Sequence, residues 1–213
     1  LKEYLIYVIS DDRFPVDMSI ESRIEEAIKG GARIIQYRDK TSSYEEKMRN
    51  AIAIKAVCKK YEALLIINDN PFICREAGAN GVHLGQDDMD ICEARELLGK
   101  EAIIGATVHN VTEAKKAILQ GADYLGCGAV FSTETKQNTI ALSKDELISI
   151  CKISPVPVFA IGGIKLDNLH ELKKTGISGI AVVGAVFNNT DIKEATRALI
   201  KRLENMDFKI SEA

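Results

Sequence analysis

The chain has 213 residues, 46% of them hydrophobic, enough for a sizeable core and ordinary for one globular domain. Lysine and arginine number 28 against 31 aspartates and glutamates, a formal charge of −3, so no general basic field exists to hold a nucleic acid or an anionic membrane. No apolar run approaches the roughly 18 residues of a membrane span, and Leu5 to Ile9 is too short for a signal-peptide core. Cys58, Cys74, Cys92, Cys127 and Cys151 show neither a CxxC pair nor a histidine at metal-ligand spacing, so a cytoplasmic protein with reduced core cysteines is expected.

The first predicted strand, Tyr4 to Ile9, ends in Ser10-Asp11-Asp12-Arg13 and lacks the glycine-rich loop usual after the first strand of an open doubly wound sheet. The second, Ala32 to Tyr37, runs on into Arg38-Asp39-Lys40, and alternation along an extended segment turns Gln36, Arg38 and Lys40 to one side. A helix follows over Tyr44 to Tyr61. Its apolar face is Met48, Ala51, Ile52, Ile54, Ala56 and Val57, with Glu45, Lys47, Lys55 and Lys59 on the wet side. The third strand, Leu64 to Ile67, ends in Asn68-Asp69-Asn70, and the fourth, Gly81 to Leu84, in Gly85-Gln86-Asp87-Asp88. The fifth, Ala102 to Ala106, leads into Thr107-Val108-His109-Asn110, and the sixth, Tyr124 to Gly128, precedes a long loop through Ser132 to Gln137. The seventh, Val158 to Ile161, is followed by Gly162-Gly163, and the eighth, Gly179 to Val183, by Gly184. From about Asp207 the chain reads as a loose tail, leaving residues 1–206 as a single domain and 207–213 outside it.

Strands alternating with amphipathic helices define the α/β class. Glycines close the helices just before the next strand at Gly30-Gly31, Gly78, Gly121 and Gly176, and each βα unit takes roughly 25 residues, a little below the usual (β/α)8 barrel repeat. A (β/α)8 TIM barrel is therefore predicted, in which residues just past the strands share one face. On that face Arg38, Lys40 and Lys136 suit a diphosphate, and Asp69 and Asp88 suit Mg²⁺ completed by substrate phosphates. Gly163 and Gly184 let backbone N–H groups approach a second phosphate. Each residue alone has a plainer reading. Asp69 or Asp88 serves as a helix cap, Arg38 and Lys40 as solvated charges, and Thr133 and Thr135 as hydroxyls bonding their own backbone. Their convergence at one mouth favours an enzyme that joins a diphosphate ester to a phosphorylated partner, with diphosphate as leaving group. His83, inside a strand, reads as structural, and His170 as a surface residue of a helix. His109, which follows the fifth strand, stands at the mouth.

The motifs Gln36-Tyr37-Arg38-Asp39-Lys40, Ile67-Asn68-Asp69, Gly81 to Asp88, Thr133-Glu134-Thr135-Lys136 and Ala160 to Ile164 stand in the order found in thiamine-phosphate synthases, and from about Leu5 to Leu203 the chain resembles that family. The resemblance implies a small-molecule enzyme that couples hydroxymethylpyrimidine diphosphate to hydroxyethylthiazole phosphate. It assigns Gln36, Arg38, Lys40, Asn68, Thr107 and Lys136 to the pyrimidine diphosphate, with Arg38 and Lys136 catalytic. It assigns Asp69 and Asp88 to Mg²⁺, and Thr133, Thr135, Gly163, Val183 and Gly184 to the thiazole phosphate. Thr107 and Gly184 each replace the family's usual serine, and Ala129 and Ser132 stand where prolines are common. Two other readings compete: a thiazole tautomerase, similar in fold, using His109, and a regulatory barrel that binds a phosphorylated thiazole without turnover. Arg38, Lys40, Asp69, Asp88 and Lys136 argue for the synthase over both.

Overall fold

The computed structural model describes residues 5–11, 18–132 and 142–208. Strands and helices alternate as β1 (Ile6–Ile9), α1 (Ile20–Lys29), β2 (Ile34–Tyr37), α2 (Tyr44–Lys60), β3 (Leu64–Asn68), α3 (Pro71–Glu76), β4 (Gly81–Leu84) and α4 (Ile91–Leu98). They continue as β5 (Ile103–Val108), α5 (Val111–Leu119), β6 (Tyr124–Gly128), α6 (Lys144–Ile153), β7 (Val158–Ile161), β8 (Gly179–Val182), α7 (Gly184–Phe187) and α8 (Ile192–Glu204). All strand pairs are parallel, and β1 pairs with β8 as well as with β2, which closes the sheet into the expected (β/α)8 barrel. After β7 the expected helix is only a 3₁₀ turn, Leu169–Leu172, with His170 exposed on it.

Helix starts follow from local chemistry. Ser19, Ser43, Asn70, Asp90, Asn110, Ser143 and Asp191 each accept a hydrogen bond from a backbone N–H of the helix they precede. Helix α2 is buried along Ala51, Ile54 and Cys58, a narrower stripe than its composition suggests, and Ile52 is 54% exposed. Two further expectations need correcting. Cys92 is exposed and Cys151 half-buried, so only Cys58, Cys74 and Cys127 are core cysteines; burial pushes the Cys58 and Cys74 thiols up to about 12. Asp207 and Phe208 are held rather than loose, because their carbonyls accept from the Lys174 and Gly176 N–H groups and Phe208 packs on the core.

Side chains alternate across the barrel wall. Ile6, Val8, Ile35, Leu65, Ile67, Val82 and Ile104 face the helices in the outer core. Tyr7, Ile9, Ile34, Ile66, Tyr124, Phe159 and Ala181 fill the interior. Three aromatic rings fit there because facing inward positions carry glycine: a Cβ at Gly105 would lie 2.0 Å from Cζ of Tyr124, and one at Gly126 would lie 3.0 Å from Cε1 of His83. Tyr7, Tyr124 and Phe159 pack edge to face at centroid distances of 5.7 and 5.8 Å, the arrangement favoured by ring quadrupoles. Ile9 and Ala181, which belong to the same interior cluster, line a cavity at the C-terminal ends of the strands.

Candidate active site

A cavity of about 1000 Å³ opens at the C-terminal ends of the strands. Gln36 on β2 and Arg38 just beyond it, Asn68 at the end of β3, His83 on β4 and Thr107 on β5 form one part of its wall. Gly163 after β7 and Val183 and Gly184 after β8 form another. Of the residues assigned to the two substrates, Gln36, Arg38, Asn68, Thr107, Gly163, Val183 and Gly184 thus share one cavity. β3 and β5 run further than predicted, so Asn68 and Thr107 belong to strands, and strand geometry rather than a loop aims their side chains. Thr133, Thr135 and Lys136 lie outside the described residues.

Lys40, Asp69 and Asp88 do not line the cavity but gather beside it. Strand pairing ends at Tyr37, so alternation no longer governs Lys40, whose ammonium forms an ion pair with Asp69. Arg38 is fixed twice. Its backbone exchanges hydrogen bonds with the Ser10 hydroxyl, and its guanidinium lies 3.4 Å from the fully buried Asp11. The signal for Asp11 in the sequence is a carboxylate two residues past β1, the strand that pairs with β2.

The capping alternative for the two acids fails, because Asn70 caps α3 through its N–H contacts to Phe72 and Ile73, and Asp90 caps α4. Asp69 instead has a left-handed backbone, φ 62°, a conformation that costs a non-glycine residue about 1–3 kcal/mol and that clusters at functional sites. Asp88 accepts from the Gly85 N–H at 2.6 Å. Burial first, and then the adjoining Asp69 carboxyl, hold the Asp88 carboxyl above the usual aspartate range. A raised carboxylate favours the folded state while protonated, and that contribution is lost as pH rises through the raised value; at neutral pH the ionised pair is a cost. Asp88→Asn is therefore expected to raise the Tm at pH 7 in chelator and to have little effect well below the aspartate range; a lower Tm at pH 7 would contradict this.

Two further polar residues, Tyr7 and Tyr124, lie in the barrel interior next to the cavity-lining His83. Tyr7 and Tyr124 share a 2.7 Å hydrogen bond, and His83, 8% exposed, stacks on Tyr124. His83 lines the cavity as well as belonging to a strand, which corrects its purely structural reading. At the rim His109 lines the cavity and places Nδ1 2.8 Å from Glu113. Burial alone would raise the Glu113 carboxyl, but hydrogen bonds from His109 and Asn110 leave it below the usual range.

The family model described as thiamine monophosphate synthase matches residues 6–186. The chain belongs to the thiamine monophosphate synthase family. A thiamine-phosphate synthase from Fusobacterium nucleatum subsp. nucleatum is 43% identical over 201 residues, 94% of this chain and 98% of its own length. One from Persephonella marina is 44% identical over 200 residues, covering 94% and 96%. The solved thiamine phosphate pyrophosphorylase from Pyrococcus furiosus matches with a TM-score of 0.86 at 36% identity, covering 95% of this chain and 96% of that one. As a thiamine monophosphate synthase the chain is a transferase of thiamine biosynthesis. Among its described residues no helix is long and apolar enough to cross a membrane.

The two glycines after β7 and β8 differ in kind. Gly163 has φ 62°, and a Cβ there would lie 2.3 Å from the Ser132 carbonyl oxygen, so the backbone itself requires glycine. At Gly184 the nearest atom to a Cβ is Nδ2 of Asn188 at 2.9 Å, the movable end of a side chain.

Proposed function

We propose that the chain condenses hydroxymethylpyrimidine diphosphate with hydroxyethylthiazole phosphate, releasing pyrophosphate and thiamine phosphate. The observation that carries this reading is a cavity of about 1000 Å³ with two unlike walls, one of amide, hydroxyl and guanidinium groups and one of glycine backbone. Gln36, Arg38, Lys40, Asn68, Thr107 and Lys136 take the pyrimidine diphosphate, and Thr133, Thr135, Gly163, Val183 and Gly184 take the thiazole phosphate. In the reaction the pyrimidine methylene C–O bond breaks, and pyrophosphate leaves with the bonding electrons. The ring amino group stabilises the resulting cation, and the thiazole nitrogen lone pair captures it. No protein nucleophile is needed. The protein stabilises charge on the leaving group and aligns the partners.

Asp69 and Asp88 fit a Mg²⁺ ion. Like charges adjoin there at a cost, and a pair of carboxylates leaves the remaining positions to substrate oxygens and water, as Mg²⁺ prefers. When bound, the ion would supply positive charge to the diphosphate.

The deciding assay is pyrophosphate release with both substrates and Mg²⁺ present. Release that requires all three supports the synthase; none would favour the tautomerase or the regulator, which need neither the paired acids nor Arg38. Gly184→Ser tests the thiazole subsite. The added hydroxyl displaces only the Asn188 amide and offers a donor to a charged oxygen, so KM for the thiazole phosphate is expected to fall about tenfold with the pyrimidine KM unchanged. An equal shift in both would contradict separate subsites.

A further inference from the structure

Five side chains form one continuous hydrogen-bonded line across the barrel. Gln36 Nε2 donates to the Tyr7 hydroxyl at 2.6 Å, and the Tyr7 and Tyr124 hydroxyls are 2.7 Å apart. Tyr124 Oη lies 3.0 Å from Nδ1 of His83, and His83 Nε2 lies 2.9 Å from Oγ1 of Thr107. Tyr7 and Tyr124 are 2% and 1% exposed, and burial raises both phenols, so each keeps its single proton. With Nε2 of Gln36 donating to Tyr7, one assignment of protons satisfies the whole line. Tyr7 accepts from Gln36 and passes its own proton to Tyr124. Tyr124 donates to Nδ1 of His83, so the neutral imidazole carries its proton on Nε2 and donates to Thr107. What remains is an acceptor at Oε1 of Gln36, on the side of the amide turned away from Tyr7 with the second Nε2 hydrogen beside it, and a donor at the Thr107 hydroxyl.

We propose that Tyr7, Tyr124 and His83 are positioning residues that fix the hydrogen-bonding polarity of Gln36 and Thr107 and so make the site select a 4-aminopyrimidine over a 4-oxopyrimidine. The selectivity rests on the proposed placement of the pyrimidine between Gln36 and Thr107. An aminopyrimidine offers one exocyclic donor, for Gln36, and unprotonated ring nitrogens, for Thr107. The oxo analogue puts an acceptor where the amine was and a proton on the adjacent nitrogen, so the exocyclic oxygen faces the oxygen of Gln36. The two ends cannot adapt separately, because reversing either reverses every proton between them.

Two measurements test this. The first is the ¹⁵N spectrum of the ligand-free protein, with the His83 signals identified by their loss in His83→Gln. The neutral tautomer with hydrogen on Nε2 is expected; the Nδ1–H tautomer or an imidazolium overturns the chain. The second is calorimetric binding of the 4-amino and 4-oxo pyrimidine diphosphates. The wild type is expected to prefer the amine by at least about 100-fold, and Tyr124→Phe, which cuts the line at its centre, is expected to narrow that ratio about tenfold with thiazole phosphate binding unchanged. If Tyr124→Phe does not fold, Tyr7→Phe makes the same cut next to Gln36. A variant that binds both pyrimidines more weakly at an unchanged ratio overturns the proposal and leaves these residues with packing roles only. Binding of neither pyrimidine by the wild type overturns the substrate placement and the selectivity with it, while the tautomer still decides the chain.

Discussion

Arg38→Gln is expected to lower the rate of pyrophosphate release by roughly 10² to 10³ with both substrates saturating, the loss typical of one preorganised donor at a developing anion. Charge accumulates on the departing pyrophosphate as the C–O bond breaks, so a fixed cation helps the transition state more than the bound substrate, and kcat suffers more than KM. Arg38 is well fixed, because its backbone is tied to Ser10 and its guanidinium faces the buried Asp11. Glutamine retains part of the stem and a donor, while Arg23, which attracts the same Asp11, remains to balance that carboxylate. Single-turnover release measured beside a thermal melt separates the effects. An unchanged rate with only a raised KM would mean that Arg38 binds the ground state alone. Lys136→Ala, the same test on the other cation proposed as catalytic, is expected to act alike.

Gly105→Ala is expected to cost about 3 kcal/mol or more, among the larger effects of a single added methyl group. The new Cβ would lie 2.0 Å from Cζ and 2.4 Å from the hydroxyl of Tyr124, a ring closed in by Tyr7, Phe159 and His83. The ring cannot move without separating its hydroxyl from Tyr7 and His83, so overpacking is joined by buried groups left unpaired. Urea unfolding measures the loss. Adding Tyr124→Leu, which removes the offending atoms, is expected to return part of it, whereas Tyr124→Phe is not, since Cζ remains. A loss below about 0.5 kcal/mol would show that the interior accommodates the methyl group, unlike a close-packed core.

The barrel was legible because its signals are local and repeated: eight apolar runs, helices between them, and glycine at the turns. Residues that point from strand ends were legible for the same reason, and Gln36, Arg38, Asn68, Thr107, Gly163, Val183 and Gly184 do share one cavity. What escaped depends on contacts across the barrel. Tyr7 and Tyr124 are 117 positions apart and read singly as core aromatics; only closure brings their hydroxyls together. His83 was misjudged because period-two alternation says that a strand residue points inward without saying at what height, and His83 stands high enough to reach the cavity. Lys40 was placed with Gln36 and Arg38 by an alternation that stops with the strand at Tyr37, after which Asp69 decides where its charge goes.

The pairing of Tyr7 with Ala181 has a consequence for the order in which the protein folds. Synthesis proceeds from the N-terminus, so β1 leaves the ribosome long before β8, and until then β1 and β7 each present an unpaired ladder of backbone groups. Nothing shorter than the span from β1 to β8 removes both edges. The seam that β8 seals also separates Tyr7 and Gln36 from the glycines after β7 and β8. The two walls of the cavity therefore face each other only once the ring is complete, so a nascent chain acquires its substrate sites and loses its sticky edges in the same late, non-local step.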